Sequence, residues 1–520
     1  MKRILQEHKE IIILAAVLLG VYAYFIFTTY YIPFWDDAVY VGMGKYLYSG
    51  GANGLLEAIR PIGLPLITGF FWKMHMDYIT WSRVILALMA VATSIVVYLI
   101  GSELYDKKTG LVAAFLVSIT PVFFYQSLRI MTEVPSALFV LLGAYAYIKK
   151  KYFWAGVASA IAFAFRFPTG IIIAGIILSI LIEHVITFFR SKKRSESRIV
   201  VSQCIKILFL TGIGFAVIVA PMLIYNYYIY HSHSQTAIGA MLLPMSLAQE
   251  HANNLFESVI DGSLGSYIYN VLFYIAVILR DNAIYLLFII TIIAEWKSFV
   301  ENRNLRFIVI TLILFTAYFT YIINKQDRFI IAFIGLMSIL ASRTLVKYYD
   351  KIKEYYSTEK KKKAKKTNAS KNLATYYILS IILVAGVITT FIALNSCISF
   401  YSWYSPSNSA PSVVSFYKYF DGKNITGPLL VTNPVITAYS DIRFIPYYDV
   451  VSNMAYVNPW EMGDNINGAV YVSGSTPCEE NDTACKDKND RFYNYLRSDF
   501  KLVYKTTFDN NDYQIFLNKE

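Results

Sequence analysis

The chain has 520 residues, of which 56% are hydrophobic and only 16% are charged. A soluble protein carries about 25% charged residues, so this composition excludes an ordinary soluble domain and indicates a membrane protein. The net charge is +12, but the basic residues form short clusters between apolar runs rather than a continuous stripe, which argues against nucleic-acid binding.

The first apolar run extends from about Ile11 to Thr28 and is too long for the core of a signal peptide. It is followed by the bulky sequence Tyr30-Tyr31-Ile32-Pro33 instead of a small-residue cleavage site. We therefore expect it to be retained as the first transmembrane helix.

Ten further segments are apolar enough to cross a bilayer, which takes about 20 residues in a helix. The sequence thus predicts about eleven transmembrane helices. The predicted spans are 11–28, 82–103, 110–127, 134–148, 152–165, 168–189, 204–229, 282–296, 305–323, 328–346 and 373–396. Segment 266–280 is also apolar, but counting it as a span would disrupt the charge pattern below, so we predict that it lies at the outer interface.

Basic clusters occupy alternate loops of this arrangement. They are Lys2-Arg3, Lys107-Lys108, 149–151, 190–198, 297–306 and 347–371. All lie on one side if the N-terminus is cytoplasmic, as the positive-inside rule requires. This topology predicts a Lys-rich cytoplasmic loop at 347–372. It places four regions outside the cytoplasm, namely loop 29–81 with interfacial helices, the short charged turn 128–133, loop 230–281 and the C-terminal region 397–520.

The C-terminal region 397–520 is polar and separate from the predicted transmembrane domain, 1–396. It alternates β-forming residues with Gly, Pro and Asn, as in 428–439 and 468–476, which favours a small mixed α/β domain. Cys478 and Cys485 lie close together in it, and we predict a disulfide between them if the region is in an oxidising compartment. Such a spacing is also a common coincidence.

Charged side chains recur at the predicted outer ends of the spans, where they are costly unless paired, hydrated or functional. They are Asp36, Asp37, Arg60, Arg129, Glu133, Arg166, Lys325, Asp327 and Arg328. A carboxylate can serve as general base toward a hydroxyl, and an arginine can bind phosphate through two parallel hydrogen bonds. The set predicts group transfer from a polyprenyl phosphate, although helix caps and interface anchors are alternative explanations for single members.

Five motifs contain these residues in order along the chain. They are Asp36-Asp37-Ala38-Val39-Tyr40, Arg60-Pro61-Ile62-Gly63-Leu64-Pro65, Arg129-Ile130-Met131-Thr132-Glu133, Phe163-Ala164-Phe165-Arg166 and Lys325-Gln326-Asp327-Arg328-Phe329. With them the chain resembles the GT-C superfamily of polyprenyl-phosphate-sugar-dependent glycosyltransferases, nearest to the protein O-mannosyltransferase and aminoarabinose transferase branch. Leu64 departs from the family, which often has Tyr there.

The resemblance implies a GT-C-like membrane domain and an inverting transfer to a hydroxyl of a protein, glycan or lipid. It implies catalytic roles for Asp36 as the base and for Asp37 and Glu133. It implies that Arg60, with Arg166 or Arg328, holds the leaving phosphate. The implied substrate contacts are Tyr40, Arg60, Arg129, Arg166, Lys325 and Arg328.

Two other function classes remain open, a transporter or flippase for lipid-linked substrates and a non-catalytic membrane scaffold. A transporter would favour polar residues at mid-membrane and internal repeats, and neither is evident. The sequence predicts no metal site, and a divalent cation is compatible with the function but not required. We expect a multi-pass protein of a prokaryotic cell membrane or the endoplasmic reticulum, with the site on the extracytoplasmic side.

Overall fold

A computed structural model shows a bundle of helices followed by a small mixed sheet. The structure describes residues 8–29, 31–191, 194–254, 264–322, 324–359, 369–403, 411–423, 425, 427–448, 466–475 and 483–519. Cys478 lies outside these residues, and with it the predicted disulfide to Cys485.

The helices are α1 Lys9–Thr28, α2 Trp35–Tyr48, α3 Gly63–Lys73, α4 Tyr78–Leu104, α5 Lys107–Ser118, α6 Pro121–Ser127, α7 Glu133–Ile148, α8 Tyr152–Phe165, α9 Ile171–Arg190, α10 Arg194–Tyr230, α11 Ala237–Asn254, α12 Leu264–Asn282, α13 Leu287–Ala294, α14 Trp296–Glu301, α15 Arg303–Tyr321, α16 Ile331–Glu359, α17 Ala369–Trp403, α18 Pro411–Tyr417 and α19 Thr483–Asp499. The strands are β1 Leu429–Val431, β2 Phe444–Pro446, β3 Gly468–Val472, β4 Phe500–Phe508 and β5 Asn511–Asn518.

Within the described residues, eight helical stretches are long and apolar enough to cross a membrane, or nine if α5 and α6 form one broken span. The multi-pass prediction is therefore confirmed, whereas the count of eleven and the sidedness stay predictions. All eleven predicted segments are largely helical, and 134–148 and 152–165 fall in the shorter apolar helices α7 and α8. Helices α5 and α6 meet at 67° because the chain is extended at Thr120 before Pro121 begins α6.

The segment expected at the interface, 266–280, continues into an apolar stretch that is long enough to span, and its place relative to the membrane stays a prediction. It lies in α12, and the apolar stretch able to span runs from Leu272 through a 3₁₀ turn to Ala294. Charged Arg280 and Asp281 therefore fall inside this stretch. They form an ion pair at 2.6 Å, which reduces the cost of placing both charges there.

The C-terminal sheet has the order β2-β1-β3-β5-β4, with β1 parallel to both neighbours and β3, β5 and β4 antiparallel. With α18 and α19 it confirms the predicted mixed α/β architecture. Its core is continuous with that of α2, since Val39 and Leu55 belong to the same buried cluster as Val431. The buried ammonium of Lys45 adds an ion pair to Asp441 at 2.9 Å, so α2 is held from the sheet side.

Candidate functional site

The first turn of α2 presents the acidic pair Asp36 and Asp37. The Asp37 carboxylate accepts a hydrogen bond from the backbone N–H of Phe34 at 2.9 Å and so caps the start of the helix. Because α2 begins here, both carboxylates lie at the positive end of the helix dipole.

Both oxygens of the Asp36 carboxylate are held by arginines. Oδ1 accepts from Nη2 of Arg60 at 2.7 Å, and Oδ2 accepts from Nη1 of Arg328 at 2.8 Å. The Asp36 side chain is 18% exposed, so a ligand can reach it. Burial opposes ionisation of this carboxyl, but Arg60 and Arg328 outweigh burial and hold the pKa of Asp36 well below its ordinary value.

Asp37 is fully buried and pairs with Arg129. Nη2 and Nε of Arg129 lie 2.9 and 3.3 Å from Oδ2 of Asp37. Burial nevertheless dominates and raises the pKa of Asp37 above its ordinary value, although Arg129 acts in the opposite direction. The two neighbouring carboxyl groups therefore differ in proton affinity, as acid and base groups of one active site often do.

Glu133 begins α7 and extends the network on the other side of Arg328. Its Oε1 lies 2.5 Å from Nη1 of Arg166 and 3.2 Å from Nε of Arg328. The guanidinium of Arg166 also stacks over the ring of Phe329 at 4.4 Å. Glu133 is 2% exposed, so it is a buried carboxylate neutralised by two arginines.

The structure brings charged residues from all five sequence motifs together in one network. Charges alternate from Arg60 through Asp36, Arg328 and Glu133 to Arg166, with Arg129 and Asp37 alongside. Tyr40 joins through its hydroxyl, 3.4 Å from Nη1 of Arg60. The residues come from α2, the segment before α3, the two ends of the α6–α7 turn, the end of α8, and the turn before α16. Their roles toward a substrate stay predictions.

Lys325 has a different environment from the other predicted residues. Its ammonium donates to the backbone carbonyls of Phe319 and Thr320, at 2.5 and 2.8 Å, and so caps the C-terminal end of α15. Partial burial lowers the pKa of Lys325 to about 8.

A cleft of about 470 Å³ opens beside this network. Four cationic side chains and one carboxylate line it, and they are Arg129, Arg280, Lys325, Arg328 and Asp327. Asp36 and Asp37 hold two of these arginines without lining the cleft. The cleft is therefore suited to an anion. Among the described residues, no group of three acidic, histidine or cysteine side chains is arranged to hold a metal ion.

Sequence reasoning missed Arg280 and Glu57. Arg280 lines the cleft and pairs with Asp327 at 2.9 Å, but its segment was assigned to the interface. Glu57 is 2% exposed and binds Nε of Arg60 at 2.9 Å. An acidic residue three positions before the predicted phosphate-binding arginine was the available signal for Glu57.

Comparison with known proteins finds sequence and structural similarity to membrane glycosyltransferases. Residues 59–225 match the sequence family described as dolichyl-phosphate-mannose-protein mannosyltransferase. This segment includes Arg60, Arg129, Glu133 and Arg166 but begins after the acidic pair. No curated protein sequence matches the chain.

Solved membrane enzymes share the fold at low identity. ArnT from Cupriavidus metallidurans, bound to undecaprenyl phosphate, is 11% identical, with a TM-score of 0.61 and 98% of each chain covered. The archaeal oligosaccharyltransferase AglB from Archaeoglobus fulgidus, in complex with an inhibitory peptide and a dolichol-phosphate, is 12% identical, with a TM-score of 0.52. That comparison covers 90% of this chain and 69% of AglB.

Proposed function

We propose that this chain is a membrane glycosyltransferase of the GT-C type that transfers a sugar from a polyprenyl monophosphate to a hydroxyl acceptor on the extracytoplasmic face, a proposal supported by the family match and by the shared fold. The observation that carries the proposal is the meeting of Asp36 with Arg60 and Arg328 beside a cationic cleft. A base for the acceptor and a site for the leaving group thus lie next to each other.

The cleft fits the phosphate of an isoprenoid lipid. Guanidinium groups bind phosphate oxygens in pairs, and Arg129, Arg280 and Arg328 all line the cleft. Its wall includes α12, whose apolar side chains Leu272 and Leu279 are 47% and 46% exposed. An anionic head in the cleft with an apolar tail along α12 matches the chemistry of both surfaces.

The reaction is a single displacement. The acceptor hydroxyl oxygen attacks the anomeric carbon of the sugar while the bond from that carbon to the phosphate oxygen breaks. Asp36 takes the hydroxyl proton, and the electron pair of the broken bond leaves with the polyprenyl phosphate. Arg328 and Arg129 stabilise the negative charge that develops on the leaving phosphate, and attack from the opposite side inverts the anomeric centre.

Donor binding prepares Asp36 for this task. Without a ligand both its oxygens accept from arginines and its pKa is far below the ordinary value, so it attracts a proton weakly. Arg328 is shared between Asp36 and the cleft. A phosphate that draws Nη1 of Arg328 toward itself frees one oxygen of Asp36 and raises its proton affinity.

The experiment that tests this function is sugar transfer in reconstituted vesicles. Purified protein is supplied with radiolabelled dolichyl-phosphate-mannose or with undecaprenyl-phosphate-linked sugars, together with acceptor peptides, glycans and lipids. We expect label to move to one acceptor class from a monophosphate donor, with loss of transfer in Asp36→Asn. The matched control is Asp499→Asn, which makes the same change at an exposed position of the C-terminal region.

Two results would overturn the proposal. One is that no monophosphate donor supports transfer by the wild type. The other is that Asp36→Asn and Asp499→Asn transfer sugar at the same rate, because a base at Asp36 would then be unnecessary.

A further inference from the structure

Glu57 is a buried carboxylate that joins the site to the C-terminal sheet. Its Oε1 accepts from Nε of Arg60 at 2.9 Å, and its Oε2 accepts from the hydroxyl of Tyr448 at 3.1 Å. Glu57 is only 2% exposed, and a carboxylate so deeply buried is costly unless charged and polar partners satisfy it. The two partners come from different regions of the chain, one on each oxygen.

Tyr448 also contacts the helix that carries Asp36. Its ring packs edge-to-face on Trp35, with 4.9 Å between ring centroids and an interplanar angle of 76°. Trp35 is the first residue of α2 and precedes Asp36 directly. A single side chain of the C-terminal region therefore touches the neighbours of both Arg60 and Asp36.

The backbone that presents Tyr448 is fixed against the segment between α2 and α3. The N–H of Gly54 donates to the carbonyl of Ile442 at 2.8 Å, and the N–H of Phe444 donates to the carbonyl of Gly54 at 2.7 Å. Phe444 starts β2, and Tyr448 follows the end of β2 by two residues. The register between the sheet and the segment that contains Glu57 is thus set by main-chain hydrogen bonds.

We propose that Glu57 and Tyr448 are positioning residues through which the C-terminal sheet orients Arg60 toward Asp36, an inference that rests on the function proposed above. In the guanidinium group of Arg60, Nε pairs with Glu57 at 2.9 Å and Nη2 pairs with Asp36 at 2.7 Å. Two carboxylates therefore fix the plane of this group. Tyr448 holds the second oxygen of Glu57 and so limits rotation of that carboxylate. Supported groups of this kind keep the reacting groups in productive geometry.

The test uses full-length protein in vesicles and three variants. Tyr448→Phe removes only the hydroxyl, and Glu57→Gln removes the charge at nearly constant shape. The matched control is Tyr447→Phe, because the adjacent Tyr447 hydroxyl has no hydrogen-bond partner among the described residues and its ring stacks on Phe492 at 3.9 Å. Each variant is measured for kcat, for affinity toward undecaprenyl phosphate without transfer, and for its thermal unfolding midpoint.

We expect kcat to fall about tenfold in Tyr448→Phe and about 100-fold in Glu57→Gln, since small misplacements of reacting groups cost this much. Affinity for undecaprenyl phosphate stays within about threefold, because the cleft residues are unchanged. The double variant is no slower than Glu57→Gln alone, because both changes act on one hydrogen-bonded unit. Tyr447→Phe keeps the wild-type kcat.

The outcomes separate this inference from the proposed function. Transfer by the wild type with unchanged kcat in Tyr448→Phe overturns the positioning role and leaves the function standing. A decrease of kcat, of lipid affinity and of the thermal unfolding midpoint together in Tyr448→Phe also overturns the positioning role. Such a result indicates a purely structural contact. Absence of transfer by the wild type overturns both. If Glu57→Gln does not fold, Tyr448→Phe decides alone.

Discussion

Asp36 and Arg328 are 292 positions apart in the chain, yet Nη1 of Arg328 donates to Oδ2 of Asp36 across 2.8 Å. Asp36 lies in the first turn of α2, after the first span, whereas Arg328 lies in the 3₁₀ turn that leads into α16. The pair therefore depends on the packing of elements that are far apart in the chain. A carboxylate and a guanidinium thus meet where the cleft opens, which makes this pair the most informative position for testing the chemistry.

Asp36→Asn is expected to abolish sugar transfer. Loss of a general base lowers kcat by about 10²–10⁴-fold, and an amide of the same shape keeps the surrounding arginines in place. Affinity for undecaprenyl phosphate is expected to stay the same or increase, because Arg328 is released toward the cleft. Steady-state transfer and a separate lipid-binding measurement check the two statements. A variant that keeps more than a third of the wild-type kcat would contradict the role of Asp36.

Arg129→Gln is expected to destabilise the protein by about 3–5 kcal/mol, because it leaves the fully buried carboxylate of Asp37 without its charged partner. Adding Asp37→Asn is expected to restore most of that loss. The measurement is thermal unfolding in detergent of the two single variants and the double variant. An Arg129→Gln midpoint equal to that of the wild type would show that the pair is not needed for stability.

The stability of Arg129→Gln is also expected to depend on pH. Burial already raises the folded-state pKa of Asp37 above its ordinary value, and loss of Arg129 raises it further. A raised folded-state pKa means that stability is greatest at low pH and is lost as pH rises through that pKa. Arg129→Gln is therefore expected to approach the wild-type midpoint as the pH falls from 7 to 5.

Much of the fold was accessible from sequence because it depends on local patterns. The apolar runs predicted the helices, and the alternation around 428–439 and 468–476 predicted β1 and β3. The break at Thr120 and the start of an apolar stretch at Leu272 were missed. A hydrophobic run does not show where a helix bends. An apolar stretch that contains Arg280 is compatible both with a helix at the interface and with a transmembrane span.

The sequence predicted which charged residues belong to the site but not which of them form ion pairs. Order along the chain and a common predicted side of the membrane identified the charged motifs, and the structure brings them together. Which arginine holds which carboxylate depends on tertiary contacts, and so Arg166 pairs with Glu133 rather than lining the cleft. Tyr448 had no local signal, because only the register of β2 against Gly54 places it near Glu57.

The pH–rate profiles test whether the donor prepares the base. In the free protein the pKa of Asp36 lies well below its ordinary value, so kcat/KM is expected to stay level down to about pH 5. In the donor complex the phosphate draws Arg328 away and raises the pKa of Asp36. The acidic limb of kcat is therefore expected at a higher pH than that of kcat/KM. Coincident acidic limbs would contradict the sharing of Arg328.

Deprotonation of Lys325 is expected to weaken donor binding as the pH rises. Its pKa is lowered by burial to about 8, so the cleft loses one positive charge as pH rises through that value. The Kd for undecaprenyl phosphate is expected to increase between pH 7 and 9 in the wild type. In Lys325→Arg, which stays charged, this increase is expected to disappear. An identical pH dependence in both proteins would show that Lys325 does not act on the phosphate.

Gly44 tests how closely α2 and α3 must approach. A methyl group added at Gly44 would lie 2.5 Å from the backbone nitrogen of Gly69, so the helices would have to separate. Asp36 lies in the first turn of α2 and Arg60 precedes α3. A shift of about 1 Å between reacting groups can cost about 100-fold in rate. Gly44→Ala is therefore expected to lower kcat by at least tenfold and to destabilise the fold by about 1–3 kcal/mol through overpacking.

The matched control is Gly20→Ala in α1, where an added methyl group would meet no described atom within 4 Å apart from the backbone of its own helix. The same substitution there is expected to leave kcat unchanged and to stabilise the helix slightly, by up to about 1 kcal/mol. Transfer assays and thermal unfolding on both variants separate a specific effect of the α2–α3 contact from a general effect of alanine. Equal kcat in Gly44→Ala and Gly20→Ala would mean that the spacing of α2 and α3 does not set the distance between Arg60 and Asp36.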